Sequence, residues 1–455
     1  MNAKVKTLDQ IASELQGYDP QALSADDVLN FLAQLVVPVR ETQDLPLFEA
    51  LGRVLATDVT PPFDVPPHDN SAMDGYAFNG AALSDGQSLS LQVVGTAMAG
   101  KAWAGIVTAG QCVKIMTGAI MPSGLDTVVP QEFVQQSGDA ITIPPHLLVA
   151  GDNRRLRGED LAKGKPALLK GEQVTPARLG LAASLGLKTL RCFRPLRVAY
   201  FSTGDEILSL GDSPREGAVY DSNRYTVYAL LTRMGCEVMD MGVVRDEPAL
   251  LEAAFTQAAL TADAIITSGG VSVGEADHTK TMMKKLGDVA FWRIAMRPGR
   301  PMAVGRIKSV DFSKKSARSP DDHCPTSYEN NSIQNTQNGS ILFGLPGNPV
   351  AVMVTFLAFV RPALLQMMGA TVMQPVLLKA ISSEPIRKKP GRTEYQRGWV
   401  STAVDGALSV RTTGSQGSGV LSSMAEANGL IVLHHAQGNV AAGDGVDVLM
   451  FDGAI

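Results

Sequence analysis

The chain has 455 residues, enough for about three domains, and its 45% hydrophobic and 19% charged residues describe an ordinary globular balance. A net charge of −5 argues against a general nucleic-acid surface, so any anion site must be a local basic patch. The cysteines Cys112, Cys192, Cys236 and Cys324 form no Cys-x-x-Cys pair, and the histidines show no metal-ligand spacing. These spacings predict a reducing compartment and no structural zinc. Met1 to Tyr18 lacks an apolar h-region, so no signal peptide is expected. The longest apolar stretch, Val350 to Leu365, is short for a membrane span and contains Arg361-Pro362, which predicts a core helix, no membrane partner and a cytoplasmic location.

Residues 1–22 are polar and weakly patterned, which predicts a mobile tail. Ser24 then caps an apolar-periodic run from Val28 to Leu35, and Phe48 to Leu55 reads as a second helical piece. Pro61 to Pro67 marks a boundary. From 61 to 160, short apolar runs and glycine turns predict a small β domain. Helical character returns over 161–192, so 23–60 and 161–192 are read as one discontinuous helical linking domain into which the β domain is inserted. From Arg197, strands alternate with helices, which predicts a doubly wound, mainly parallel α/β sheet over 193–370. The polar stretch 309–340 interrupts it and reads as a disordered surface insertion. Residues 371–455 return to short strands and predict a C-terminal β-barrel or sandwich. The fold class is thus multidomain α/β plus β.

Ligands of such sheets sit beyond the carboxyl ends of the strands. Three of those ends carry acids: Ser202-Thr203-Gly204-Asp205-Glu206, Arg245-Asp246, and Ser268-Gly269-Gly270-Val271-Ser272-Val273-Gly274-Glu275-Ala276-Asp277. A glycine-rich turn between strand and helix can aim backbone N–H groups at an anion, and nearby carboxylates can hold a hard cation such as Mg²⁺ beside it. Each loop alone reads first as an ordinary turn or helix cap; together they favour one shared Mg²⁺ and phosphate site. Arg293, Arg297 and Arg300 crowd one further loop. If Ile294 and Met296 point inward, Arg293 and Arg297 share the other face, as guanidinium forks suited to an oxyanion. The segment 344–349, with Pro346 and Pro349, fixes backbone shape before a helix and reads either as an oxyanion loop or as a structural turn.

The motifs DNSAMDGYAF (69–78), IMTGA (115–119), RRLRGEDL (154–161), FSTGDE (201–206), VYDSNR (219–224), SGGVSVGEADHTK (268–280), FWRIAMRPGRP (291–301), GLPGNPV (344–350) and GRTEYQRG (391–398) occur in this order. The chain resembles the MoeA family of molybdopterin molybdenumtransferases, related to the C-terminal domain of gephyrin, from about residue 24 to 455. The resemblance implies Mg²⁺-dependent hydrolysis of adenylylated molybdopterin with AMP release and insertion of molybdate. It implies that Glu206, Asp246 and Asp277 form the acidic metal or water-positioning set. Asp74, Thr117 and Asp160 match functional positions of the β domain that approach the sheet domain of a second subunit, implying a homodimer. Arg293, Arg297, Arg397 and Ser418 match the molybdate pocket, shaped by Pro346 and Pro349, while Ser268, Gly269, Gly270 and Ser272 lie in the pterin-phosphate turn. A molybdopterin adenylyltransferase is a further expected partner. The family frequently has lysine where Arg293 and Arg297 stand here. The other class of function the resemblance allows is a gephyrin-like scaffold that gathers partners.

Overall fold

The computed structural model describes residues 6–15, 17–271, 278–308, 339–371 and 374–451. The polar stretch read as an insertion falls almost wholly on residues 309–338, outside the described residues.

At the centre is a six-stranded sheet in the order Glu237–Val244, Arg197–Thr203, Ala264–Ser268, Ser340–Leu345, Pro301–Ile307, Gly287–Arg293. The first four strands are parallel and the last two joins are antiparallel, so the sheet is mixed. Every residue of Ala264–Ser268 and Ser340–Leu345 is buried, as expected of strands covered on both faces. The pleat divides Arg197–Thr203 between two cores. Val198 and Tyr200 pack with the helices Ala25–Leu35, Ser222–Arg233 and Pro349–Thr355, whereas Ala199 and Phe201 pack with Pro248–Thr261 and His278–Leu286. This is the doubly wound arrangement that the alternation of patterns predicts.

Three expectations about the N-terminal part change. In place of a mobile tail, Leu8–Glu14 is a helix with a reciprocal Thr7–Gln10 capping box. Leu8 and Ile11 are buried against the main core, and Leu8 N donates to Asp288 Oδ2 at 3.4 Å. The apolar signal is only two residues long, too short to stand out in a polar segment. Phe48 to Leu55 is not an α-helix either. It contains one 3₁₀ turn, Leu47–Glu49, and then joins residues 168–193 through bridges Val54↔Gln173, Leu55↔Cys192 and Val59↔Leu168. With Thr42–Pro46 antiparallel to Thr189–Phe193, the linking unit is discontinuous but mostly extended, and Pro176–Ser184 is its one α-helix among the described residues. The helix Ala25–Leu35 joins the α/β core instead, where the Phe31 ring meets Trp292 edge-on at 4.9 Å.

The inserted domain is a curled six-stranded sheet in the order Thr127–Pro130, Gly75–Phe78, Gln111–Ile115, Leu89–Ala97, Ala140–Ile143, Gln135–Ser137. Apolar clusters lie on both of its faces. The C-terminal domain closes on itself: Thr393–Thr402 pairs with both Leu408–Thr412 and Gly429–Leu433, and Leu378–Ser382 and Gly445–Met450 complete the ring. A short strand of the arginine loop, Met296–Arg297, pairs in parallel with Thr393 and Glu394 and so stitches that loop to the barrel.

The segment Pro349–Met367 has a mean hydropathy of 1.8 and 78% of its most apolar window is buried inside the protein, as a core helix would be. Pro362 would clash with the carbonyl four residues back and offers it no N–H. The five-residue π-turn Phe356–Val360 just before it opens the helix there, with the Arg361 N–H reaching back to the Phe356 carbonyl.

Candidate active site

The four parallel strands end on one edge, and their loops meet the arginine loop and the barrel around a cavity of about 1080 Å³. Glu206, Asp246, Gly269, Gly270, Arg297, Pro346 and Ser418 all line it. The sheet order makes this possible: strands ending at Thr203, Val244, Ser268 and Leu345 are direct neighbours.

The acidic wall is shaped by glycine. Gly204 has φ +140°, and a Cβ there would lie 2.6 Å from Glu206 Oε2, so only glycine leaves the carboxylate its place. Gly269, at φ +90°, passes so close to Thr203 that a Cβ would meet its carbonyl oxygen at 2.4 Å. Asp246 accepts a hydrogen bond from the buried Thr279 hydroxyl at 3.1 Å, which ties it to the helix His278–Leu286. Ser268 is buried beneath this wall in a triangle of hydroxyls, with Tyr200 OH 2.8 Å and Ser202 Oγ 3.1 Å from its Oγ. Burial pushes the Tyr200 phenol well up, so it stays a neutral structural group.

The basic wall comes from the arginine loop and the barrel. Ile294 and Met296 are fully buried and Arg293 and Arg297 exposed, as the strand reading requires. Arg297 lines the cavity, whereas Arg293 stands outside it with its backbone N–H on the Pro20 carbonyl at 2.8 Å. Arg397 is 1% exposed and sits behind the wall. Its Nη2 donates to the carbonyls of Ser415 and Gly417, each at 2.9 Å, and its Nε to Ser423 Oγ at 3.0 Å. It therefore shapes the loop that presents Ser418. Burial first, and the neighbouring Arg297 charge second, push the Arg397 guanidinium down to about 10, still charged at neutral pH. Pro349 is the first residue of its helix and Pro346 lies on the cavity wall.

Asp74, Thr117 and Asp160 do not reach this cavity in the single chain. The Thr117 backbone N–H and hydroxyl both donate to Asp74 Oδ1, at 2.7 and 2.8 Å, and these bonds hold the Asp74 carboxyl below its ordinary range. Asp160 is exposed, with its N–H on the Val65 carbonyl at 3.1 Å. Ser272 and Asp277, with Glu275, lie outside the described residues.

Thr279, Arg300, Asn348, Arg392 and Gln416 also line the cavity; Arg300 belongs to the arginine loop already read from the sequence, and the other four do not emerge there as site residues. Thr279, Asn348 and Arg392 lie within the motifs of the family resemblance, so proximity in sequence could have raised them. Arg392 is held by Glu394, a carboxylate 1% exposed, through Nε at 2.8 Å, and nothing in the spacing of the two announces the pairing. Among the described residues, no three His, Cys, Asp or Glu side chains come together as a metal cluster. The acidic pair with the Thr279 hydroxyl still offers hard oxygen donors, the chemistry that suits Mg²⁺. Burial pushes the thiols of Cys112 and Cys236 up to about 12, so neither is poised as a nucleophile.

Comparison with known proteins agrees with this architecture domain by domain. Residues 23–186 match the MoeA N-terminal region (domain I and II), 199–366 a probable molybdopterin binding domain, and 379–451 the MoeA C-terminal region (domain IV). The chain is 39% identical over 341 residues to a molybdopterin molybdenumtransferase of Haemophilus influenzae, covering 75% of this chain and 77% of that one. It is 34% identical to one of Nostoc sp., covering 99% of this chain and 98% of that one. A crystal structure of the molybdopterin biosynthesis moeA protein from Pyrococcus horikoshii OT3 superposes with a TM-score of 0.74 at 25% identity, covering 95% of this chain and all of that one. With its cavity built where these domains meet, the chain belongs to the MoeA family of molybdopterin molybdenumtransferases, enzymes of molybdenum cofactor biosynthesis.

Proposed function

We propose that the chain hydrolyses adenylylated molybdopterin in this cavity, releases AMP, and places molybdenum from molybdate on the dithiolene. One water adds across the pyrophosphate, one P–O bond breaks, and the terminal phosphate stays with the pterin; as the two Mo–S bonds form, one Mo–O bond breaks and its oxygen leaves as water with the two thiol protons, with no change of oxidation state. The observation that carries the reading is the polarity of the cavity: Glu206 and Asp246 on one wall, Arg297 and Ser418 on the other. A pyrophosphate needs cationic support and a positioned water, and a tetrahedral oxyanion needs fixed donors.

Glu206 and Asp246 are the residues that would hold Mg²⁺, which supplies charge neutralisation at the phosphates and a more acidic water. Asp246 is kept in place by Thr279, and the bare Cα of Gly204 leaves room for the Glu206 carboxylate. Arg297 supplies permanent positive charge, and the buried Arg397 fixes the loop bearing Ser418. The exposed Asp74–Thr117 pair and Asp160 are read as a second wall, presented to the cavity of another copy in a homodimer; a molybdopterin adenylyltransferase is the natural supplier of substrate.

The test is AMP release from adenylylated molybdopterin with Mg²⁺ and molybdate. Glu206→Gln and Asp246→Asn are each expected to lower turnover at least about a hundredfold, since such charge stabilisation is worth several kcal/mol. Wild-type turnover in both variants would overturn the assignment of this wall.

A further inference from the structure

Asn348 occupies the N-cap position of the helix that starts at Pro349, where an Asn side chain ordinarily accepts a hydrogen bond from the second or third helical N–H. It makes no such bond. Its Nδ2 instead donates to Ser418 Oγ, in the barrel, at 2.9 Å. One of the two N–H groups such a cap could take, that of Val350, donates to the Ser418 carbonyl at 3.1 Å. Both hydrogen bonds run from the α/β domain to Ser418 of the barrel: its carbonyl caps the helix, and the freed Asn348 amide turns to its hydroxyl.

We propose that Asn348 is a positioning residue that fixes Ser418 as a hydrogen-bond donor to the oxyanion in the cavity. The proposal rests on the molybdate reading given above. A hydroxyl has one hydrogen and two lone pairs, and a lone pair filled by Asn348 leaves the hydrogen to point elsewhere. Nearby acceptors of the same loop are already engaged. The Ser415 and Gly417 carbonyls accept from Arg397 Nη2, and Gln416 Oε1 accepts from Arg397 N at 2.8 Å. Asn348 and Ser418 both line the cavity. On the other side, the buried Asn223 donates from Nδ2 to the Gly347 carbonyl at 2.7 Å, so the segment carrying Asn348 is pinned.

Asn348→Asp is the sharp substitution, because an ionised carboxylate of the same shape can only accept. It would draw the Ser418 hydrogen to itself and take it from the oxyanion. Asp is also among the best N-caps, so the helix start is not put at risk. The experiment is a double-mutant cycle on the full chain, titrating molybdate at saturating adenylylated molybdopterin and Mg²⁺ and following AMP release. Asn348→Asp and Ser418→Ala are each expected to raise the molybdate KM about tenfold, the value of one hydrogen bond to a charged group. The rate at saturating molybdate should change by less than about twofold, and the double variant should be no worse than Asn348→Asp. An unchanged KM in Asn348→Asp overturns the proposal, because the orientation of Ser418 would then be immaterial. Additive effects overturn it too, because the carboxylate would then act by charge alone. Wild-type AMP release that ignores molybdate overturns the functional reading instead.

Discussion

In the α/β domain, loops from four neighbouring strand ends close around one cavity of about 1080 Å³, whereas in the inserted β domain the motif residues Asp74, Thr117 and Asp160 stand exposed on a surface. Both regions are dense in polar motifs. In the first, carboxylates and arginines line one open cavity together. In the second, Asp74 and Thr117 satisfy each other and enclose nothing. One region has the form of a pocket and the other the form of a lid for a pocket, and we propose that the pocket it covers belongs to a second copy.

The largest effect expected from this contrast is complementation. Asp74→Asn and Asp246→Asn chains should each be nearly inactive alone, yet mixed dimers should regain roughly a quarter of wild-type sites, because random pairing places one intact composite site on half of the dimers. Assaying AMP release after mixing and re-equilibration checks this; no recovery from a mixture that demonstrably exchanges subunits would assign Asp74 to its own chain's cavity or to none. A smaller effect should follow from Gly204→Ala. Its side chain would displace the Glu206 carboxylate, so turnover should fall by about tenfold, with a stability loss of about 1 kcal/mol from the positive φ. Turnover falling in proportion to folded protein alone would remove Gly204 from the account of the acidic wall. The smallest effect belongs to Asp74. Its carboxyl is held low mainly by the Thr117 N–H and then by the Thr117 hydroxyl. A depressed carboxyl pKa stabilises the fold above the ordinary value of about 3.9 and loses that contribution as pH falls through the lowered value. Thr117→Val removes the hydroxyl and should raise the Asp74 pKa partway, as an NMR carboxyl titration would read directly.

The parts of this molecule legible in its sequence are those whose signal is local. Buried parallel strands such as Ala264–Ser268 and Ser340–Leu345 are short, largely apolar runs, and the loops after the four parallel strands carry the acids Glu206 and Asp246 and the glycines that line the cavity. What escaped depends on partners far along the chain. The apolar residues near Val54 and Leu55 read as helix, but their partners are Gln173 and Cys192. The helix Ala25–Leu35 is correctly periodic, yet its periodicity does not say that it packs on Trp292. Arg397 is matched to the anion pocket only through the family resemblance; the fold adds what no motif shows, that its Nε and Nη2 donate to Ser423, Ser415 and Gly417. The segment 344–349 reads as an oxyanion loop or a turn, and only the barrel's approach shows that Ser418 caps the helix and takes the Asn348 amide.

The short pairing of Met296–Arg297 with Thr393 and Glu394 bears on how this protein could be recombined with its relatives. The Ala295 carbonyl accepts from Thr393 N at 2.9 Å, so the backbone that aims Arg297 is templated by the barrel although it belongs by sequence to the preceding domain. Swapping the C-terminal region at its family boundary near residue 379 would leave the arginine loop on a foreign sheet edge. A chimera that also carried residues 291–301 would move Arg297 and Arg397 together, keeping the spacing between the two guanidinium groups that a clean domain exchange would reset.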